Sequence, residues 1–238
     1  MIARLIWIAA LIAIGAVTGL AQLDRQSRYA PHLAQHVPDP FRAFAQAHIT
    51  ADAIDNAEAN LALAEARRLV ERRPVPAEHL RLLALAQFKA DDPRAATTIQ
   101  LAAQRGWRDP SAQEAMLRLA SGTGNMEEAA RRYAALLQNK ASDEDMLLEF
   151  GRPVFAGSES KARAVFVDLL VSGARWQSTF LARGAQVMPA DAYLAIIRAS
   201  AERGARFDCQ GLQSAAGILA ERDAELAAEL KQDAANLC

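Results

Sequence analysis

The chain has 238 residues, of which 52% are hydrophobic, and it carries 27 Lys and Arg against 28 Asp and Glu. The net charge of −1 provides no basic surface of the kind that nucleic-acid binding requires, so we do not expect nucleic acid as a partner. Alanine and leucine dominate while β-branched and aromatic residues are scarce beyond the first twenty positions, which predicts an ordered all-α protein without a sheet.

The first predicted element is an apolar helix over residues 5–23, LIWIAALIAIGAVTGLAQL, interrupted only by the polar residues Thr18 and Gln22. At about 1.5 Å per residue, this helix approaches the ~30 Å thickness of the bilayer hydrocarbon. We expect residues 1–23 to anchor the chain in the inner (cytoplasmic) membrane, with residues 5–23 in the lipid. A short amino-terminal tail usually stays inside, which places the body on the periplasmic side. A cleaved signal peptide, with Gly19 and Ala21 flanking the cut, is the alternative.

Residues 24–40 form the next predicted segment, in which three prolines exclude a continuous helix and favour a stalk or a docking segment. His32 and His36 have the i, i+4 spacing of a helical metal pair. Pro31 and Pro38 bracket them, however, and no further ligand residues stand nearby, so we expect solvated histidines and neither a metal nor a cofactor.

A recurring phrase marks residues 41–140. It reads GNMEEAARRYAALL at 124–137, DDPRAATTIQLAAQ at 91–104 and EANLALAEARRLVE at 58–71. The small residues that open each second helix are Ala62, Ala96 and Ala129, spaced by 34 and 33 residues. This spacing resembles the tetratricopeptide repeat family. The residues that carry the resemblance are Ala62, Ala84, Ala96, Ala103, Gly124, Ala129 and Tyr133.

The resemblance implies helical hairpins that stack into an α-solenoid, because one hairpin cannot bury its apolar face alone. Gln100 departs from the family pattern, since a large aromatic residue is expected there. Asp92-Pro93 and Asp109-Pro110 each predict a capped helix start.

Residues 141–238 lose the period and are predicted to form a helical extension that caps the array. Predicted helix starts are Ser142, Ser158, Pro189 and Asp208, predicted stops are Gly151, Gly173 and Gly204, and Trp176 and Phe180 are expected in the core. Cys209 and Cys238 are the two cysteines, and in an exported chain they would form a disulfide; two unrelated thiols are the alternative.

The resemblance also implies a concave surface that binds protein. The predicted surface on the first helix of the second repeat consists of Glu78, Arg81, Leu85, Phe88 and Lys89. Family members that clamp a terminal carboxylate have asparagine where Leu85 stands, so an extended or helical peptide segment is favoured. The sequence thus predicts a membrane-tethered adaptor or scaffold, not an enzyme, that binds an unidentified protein of the cell envelope.

Two alternatives remain open. One is a permanent structural subunit of an inner-membrane complex. The other is a helical envelope hydrolase, because Glu159-Ser160 and the later GAQVMP resemble motifs of lytic transglycosylases, in which such a glutamate is a general acid. Ser158 and Lys161 also have the Ser-x-x-Lys spacing of acyl transferases, although a serine at a helix start is ordinarily a cap.

Overall fold

The structure is a computed structural model that describes residues 2–157 and 161–237, apart from the side chains of residues 174 and 175. The described residues form helices and turns without a β-strand, which confirms the all-α prediction. The chain divides into two compact units, residues 1–106 (the N-terminal unit) and residues 107–238 (the C-terminal unit).

The N-terminal unit begins with a long helix and continues with two helical hairpins. Its elements are α1 (Ile2–Ser27), a 3₁₀ helix (Pro31–His36), a 3₁₀ turn (Asp39–Phe41), α2 (Ala45–Asn56), α3 (Ala59–Arg72), α4 (Ala77–Lys89) and α5 (Ala95–Arg105). Each helix from α2 to α5 packs against the next, and α4 also packs against α2.

Hydrogen bonds at the helix ends establish the direction of these four helices. Arg72 ends α3 and donates to the carbonyl oxygen of Arg42, just before α2, at 3.0 Å, so α2 and α3 are antiparallel. Lys89 ends α4 and donates to the carbonyl oxygen of Ile54, near the end of α2, so α2 and α4 are parallel. Arg105 ends α5 and donates to the carbonyl oxygen of Pro74, just before α4, at 3.5 Å, so α4 and α5 are antiparallel. The starts of α2 and α4 and the ends of α3 and α5 therefore lie at the same end of the N-terminal unit.

Alanines allow α2, α3 and α4 to approach closely, and the small buried cluster between them consists of Ala53, Ala62, Ala66 and Ala86. Beside this cluster lies a buried polar network. The side chain of Gln46 donates to Glu65 Oε2 at 2.7 Å, and Thr50 Oγ1 donates to the carbonyl oxygen of Glu65 at 3.1 Å. Arg68 pairs with the same carboxylate at 2.9 Å, so the charge of Glu65 is compensated despite its burial.

The C-terminal unit contains one more hairpin followed by the extension. Its elements are α6 (Pro110–Gly122), α7 (Met126–Gln138), α8 (Glu144–Phe155), α9 (Lys161–Ser172), α10 (Ala174–Thr179), a π-helical turn (Phe180–Gly184), α11 (Ala185–Val187), α12 (Ala190–Glu202), α13 (Cys209–Ala220) and α14 (Ala224–Leu237). The largest buried cluster of the described residues lies here, with α7, α9 and α12 at its centre.

Aromatic rings connect the helices of this core. A chain of ring contacts with centroid distances of 4.9–6.2 Å joins Tyr133, Phe155, Phe166, Phe180 and Tyr193. Both tyrosine hydroxyls donate to backbone carbonyl oxygens, at 3.0 and 2.9 Å. Burial raises the pKa of both phenols, and because each hydroxyl has an acceptor, neither leaves an unpaired donor in the core.

A buried arginine closes the end of α7. Arg183 lies on the π-helical turn, and its Nη1 donates to the carbonyl oxygens of Leu136, Leu137 and Asn139 at 3.1, 3.1 and 2.5 Å. Its Nη2 donates to the carbonyl oxygen of Ser142 at 2.6 Å. The carbonyl oxygens of Leu136 and Asn139 also accept a backbone N–H group each, from Asn139 and Ser142, so Arg183 adds a charged donor to this helix end. A cation at a helix C-terminus also interacts favourably with the helix dipole.

Most of the residues that suggested the repeat are buried in helices or lie in a turn. Fully buried in the helices are Ala62, Ala84, Ala103, Ala129 and Tyr133. Gly124 has φ of +73° in the turn between α6 and α7, a conformation that glycine adopts without steric cost. The assignment of Ala96 is shifted, because Ala95 is the buried residue there and Ala96 is partly exposed.

The two predicted Asp-Pro helix starts differ in how closely the helix follows. Asp109 caps α6 as predicted, accepting from the backbone N–H groups of Ser111 and Ala112. The Asp92 carboxylate accepts the backbone N–H of Arg94 at 3.0 Å and pairs with its side chain, but α5 begins at Ala95, because the N–H of Asp92 donates to the carbonyl oxygen of Gln87 in the turn that closes α4. The hydrogen bonds from Arg94 lower the pKa of Asp92 to about 2. This turn closes α4 and delays the start of α5.

The predicted starts and stops of the extension have mixed outcomes. Asp208 caps α13, and Gly204 follows α12 with φ of +87°. Gly151 was expected to stop a helix but lies inside α8, where a Cβ would stand 3.1 Å from Pro189 Cδ. Its lack of a side chain serves close packing rather than helix termination. The predicted start at Ser158 lies outside the described residues.

Candidate protein-binding surface and helix junction

The five residues predicted to bind a partner lie together on one exposed face of α4, which we call the α4 stripe: Glu78, Arg81, Leu85, Phe88 and Lys89. Leu85 is 37% exposed and Phe88 is 48% exposed, so two neighbouring apolar side chains face outward between charged groups. Lys89 is oriented by its hydrogen bond to the carbonyl oxygen of Ile54. The stripe therefore presents an apolar centre with a polar rim, the composition that protein-binding patches commonly show.

The opposite face of α4 fixes the stripe in place. Leu80, Ala84 and Ala86 are buried against α3 and α5. His79 is also buried on this side, and its Nδ1 donates to the carbonyl oxygen of Arg73 at 2.8 Å. Burial lowers the pKa of His79, so the neutral imidazole is favoured in the folded protein. No pattern in the sequence near His79 predicts this role, because its partner, the carbonyl oxygen of Arg73, lies before α4 begins.

The second notable arrangement joins α1 to the rest of the N-terminal unit. Asp24, in the last turns of α1, is 4% exposed and directs its carboxylate at the start of α2. Its Oδ1 accepts hydrogen bonds from the backbone N–H groups of Ala43, Phe44 and Ala45 at 3.0, 3.0 and 2.9 Å. Phe44, the residue at the N-cap position, provides no side-chain cap of its own. Asp24 therefore caps α2 from another helix.

Other buried contacts reinforce this junction. Ser27 is fully buried and its hydroxyl donates to the carbonyl oxygen of Asp24 at 2.6 Å. Leu23 packs on a small cluster formed by Ala34, Val37 and Ala45. The proline-containing segment, which was predicted to be a stalk or a docking segment, is thus folded onto α1 and α2 through its two short 3₁₀ elements.

A groove of about 620 Å³ opens between the 3₁₀ helix Pro31–His36 and α2, with His32, Arg42, His48 and Asp52 in its lining. His32 and His36 are exposed, in agreement with the expectation of solvated histidines. Among the residues that the structure describes, no group of three or more His, Cys, Asp or Glu side chains is arranged to hold a metal ion.

The sequence features that suggested hydrolytic chemistry do not form a described site. Ser158, Glu159 and Ser160 lie outside the described residues. Gly184, which begins the GAQVMP segment, is buried, and a Cβ there would stand 3.0 Å from a ring carbon of Tyr193. This segment packs in the core of the C-terminal unit.

The predicted disulfide also involves a residue beyond the described range. Cys209 is the first residue of α13, whereas Cys238 lies outside the described residues, one position after the end of α14 at Leu237. The pairing therefore stays a prediction.

No protein-family model matches the chain, and no curated protein is significantly similar to it. The function must therefore be argued from the chain's own residues.

Proposed function

We propose that this protein is a membrane-tethered helical adaptor, in which α1 is the anchor and the α4 stripe binds another protein of the cell envelope. One combination of features carries the proposal. The exposed apolar helix α1 is joined to the body by the buried Asp24 cap, and the body presents the exposed α4 stripe. The tetratricopeptide-like spacing of the hairpins supports a protein-binding role.

The exposed surface of α1 supports its role as the anchor. The helix is long and apolar enough to cross a membrane, and residues 2–19 are exposed. Water is an unfavourable solvent for so many neighbouring apolar side chains, among them Leu5, Trp7 and Ile12, which are 65–69% exposed. A bilayer removes this surface from water.

The junction favours an uncleaved anchor over a signal peptide, which passes the same length and composition test. Leu20 and Leu23 lie on the side of α1 that is partly buried, and Asp24 is buried one residue further on. A cut near Gly19 or Ala21 would leave the capping residue almost at a chain terminus, where helices fray. An intact α1 holds Asp24 in a helix and thereby stabilises the cap.

The anchor has a direct test. After washing of membranes with alkaline carbonate, we expect the full-length protein in the pellet. Recovery of a soluble form that lacks about twenty residues would contradict the anchor and establish a cleaved signal.

The proposed periplasmic location of the body is supported by the placement of the cysteines. The helices α13 and α14 pack against each other and are joined by a short turn, which returns the end of the chain toward Cys209. A disulfide with Cys238 would persist in an oxidising compartment. Alkylation of thiols at cell lysis, followed by non-reducing mass spectrometry, should find neither cysteine alkylated. Finding both alkylated would contradict the disulfide and weaken the periplasmic assignment.

The proposed partner segment has apolar side chains for Leu85 and Phe88. Acidic groups beside them would face Arg81 and Lys89, and the mixed charge of the stripe suits a helical or extended segment rather than a terminal carboxylate. We expect Leu85→Glu/Phe88→Glu to abolish recovery of the partner when the full-length protein is purified from solubilised membranes, because both changes place charge at the apolar centre of the contact.

A matched double variant separates loss of the stripe from general damage. Leu61 on α3 and Leu101 on α5 are exposed apolar residues of the same unit, 53% and 43% exposed, and lie outside the stripe. Leu61→Glu/Leu101→Glu should retain the partner. Equal recovery with both double variants would refute binding at the α4 stripe. Resistance of the complex to a high-salt wash would favour a permanent structural subunit over a transient adaptor.

A further inference from the structure

The arginines of the N-terminal unit beyond the apolar part of α1 differ in their partners. Five of them pair with carboxylates: Arg42 and Arg72 with Asp39, Arg67 and Arg94 with Asp92, and Arg68 with Glu65. By contrast, Arg25, Arg28, Arg73 and Arg105 have no carboxylate of the described chain within 4.0 Å. We call these four the unpaired arginines.

The unpaired arginines share one end of the unit. Arg25 and Arg28 lie in the last turn of α1 and directly after it. Arg73 follows α3, and Arg105 ends α5 and donates to the carbonyl oxygen of Pro74 at 3.5 Å. The ends of α3 and α5 lie at the same end of the unit as the start of α2, which Asp24 caps. All four cations are therefore on the side where α1 joins the body.

One aromatic ring ties two of these arginines to the junction. The guanidinium carbon of Arg73 is 4.3 Å from the ring centroid of Phe44, and that of Arg28 is 5.8 Å from the same centroid. Phe44 donates its own N–H to Asp24. The Arg28 and Arg73 side chains therefore lie close to Asp24, the residue at which α1 meets the body.

Two strongly exposed side chains, Tyr29 and Val75, lie close in sequence to Arg28 and Arg73. Tyr29 is 80% exposed directly after Arg28, and Val75 is 82% exposed in the loop between α3 and α4, two residues after Arg73. A tyrosine favours the interface between lipid and water, and arginines there pair with lipid phosphates. The acidic groups near this end are Glu71 and Glu78, both exposed, Asp39, which is paired with Arg72, and Asp24, whose buried carboxylate accepts the backbone N–H groups at the start of α2.

From this arrangement we infer that the end of the N-terminal unit next to α1 is a second membrane contact, which binds the headgroups of anionic phospholipids through the four unpaired arginines, with Tyr29 and Val75 at the interface. The inference rests on the proposed insertion of α1, because only an inserted α1 brings this end to the bilayer surface. The phosphates of the lipids are the counter-ions that the chain itself does not supply.

The test uses the full-length protein in nanodiscs that contain equal amounts of phosphatidylglycerol and phosphatidylcholine. Native mass spectrometry counts the lipids retained after release from the disc. We expect phosphatidylglycerol to be enriched about fivefold or more over phosphatidylcholine, and Arg28→Gln/Arg73→Gln to remove most of this enrichment. Arg28→Lys/Arg73→Lys should largely retain it, because attraction to a phosphate depends chiefly on the charge.

The control removes the same charge elsewhere in the unit. Arg67 and Arg94 pair with Asp92 in the turn before α5, at the opposite end from the junction. Arg67→Gln/Arg94→Gln should leave the lipid enrichment unchanged. Amide exchange at residues 73–79 should also be slower in nanodiscs with phosphatidylglycerol than in discs of phosphatidylcholine alone.

Three results would overturn the inference. Absence of enrichment in the wild-type protein shows that the surface does not select anionic lipid. Equal losses in the two glutamine variants show that the enrichment follows total charge rather than this end. Failure of the protein to enter nanodiscs refutes the anchor and this inference together, whereas insertion without enrichment refutes this inference alone.

Discussion

Replacement of Asp24 tests whether α1 and the body form one folded unit. The carboxylate is the acceptor for three consecutive backbone N–H groups, and the residue is 4% exposed. Asp24→Ala removes that acceptor from the N–H group of buried Ala45 and from those of partly exposed Ala43 and Phe44. An ordinary N-cap replacement costs about 1 kcal/mol, and each buried donor left unpaired costs about 1–3 kcal/mol. Because water can enter the gap beside the smaller side chain, we expect a total of about 3 kcal/mol.

The loss should appear as local opening at the start of α2. A change of about 3 kcal/mol corresponds to roughly a hundredfold increase in the amide exchange rate when exchange follows local opening. Hydrogen exchange of residues 41–50 in detergent micelles, read by mass spectrometry, measures it. Asp24→Asn keeps one oxygen acceptor but loses the negative charge, so we expect an intermediate effect.

Asp39→Asn is the matched control, because this carboxylate lies in the same segment but is 55% exposed and pairs at the surface. Surface ion pairs contribute about 0–1 kcal/mol, so exchange at residues 41–50 should change little. If Asp24→Ala left that exchange at the wild-type rate, the cap would contribute nothing to holding α1 against the body, and the argument for an uncleaved, structurally integrated α1 would lose its main support.

Three further predictions concern packing and pH. Ala129→Leu should cost about 1–3 kcal/mol in urea unfolding, since Ala129 is fully buried, and Ala96→Leu should cost less because Ala96 is partly exposed; equal costs would contradict the burial of the two sites. Arg183→Met should destabilise the C-terminal unit by about 3 kcal/mol because four buried carbonyls lose a charged donor, whereas Arg131→Met on the exposed face of α7 should stay within about 0.5 kcal/mol. The pKa of His79 is lowered on folding, so stability present above the unfolded pKa of 6.5 should decline as the pH falls below it, by at most about 1.4 kcal/mol per pH unit; an unchanged slope in His79→Gln would contradict this.

The sequence predicted those features that depend on neighbours along the chain. The caps at Asp109 and Asp208 and the turn at Gly124 were recognised because their partners lie within a few residues. The stripe on α4 was suggested by the resemblance to the repeat family. Helix α5 begins later than Asp92-Pro93 predicts, because Asp92 also belongs to the turn that closes α4.

The remaining features depend on partners that are distant in sequence. Asp24 caps backbone groups 19–21 residues away, and Arg183 binds carbonyls 41–47 residues away. No pattern in a single sequence predicts such pairs. An aspartate after an apolar helix is ordinarily expected to be solvated, and an arginine in a helix is ordinarily expected on the protein surface. Gly151 was misread for the same reason, since the residues that require its small size come from α7 and the start of α12.

The junction also bears on how a tethered adaptor would present its binding surface. Asp24 joins α1 to the start of α2, the polar network around Glu65 joins α2 to α3, and the hydrogen bond from Lys89 joins α4 to the end of α2. Within the N-terminal unit, the α4 stripe is therefore connected to α1 through packed helices and not through a flexible linker. A flexible tether raises the effective concentration of a partner in the same membrane but samples many orientations. A packed junction restricts those orientations, so less entropy is lost on binding, and a small stripe can serve where a freely swivelling domain would need a larger contact.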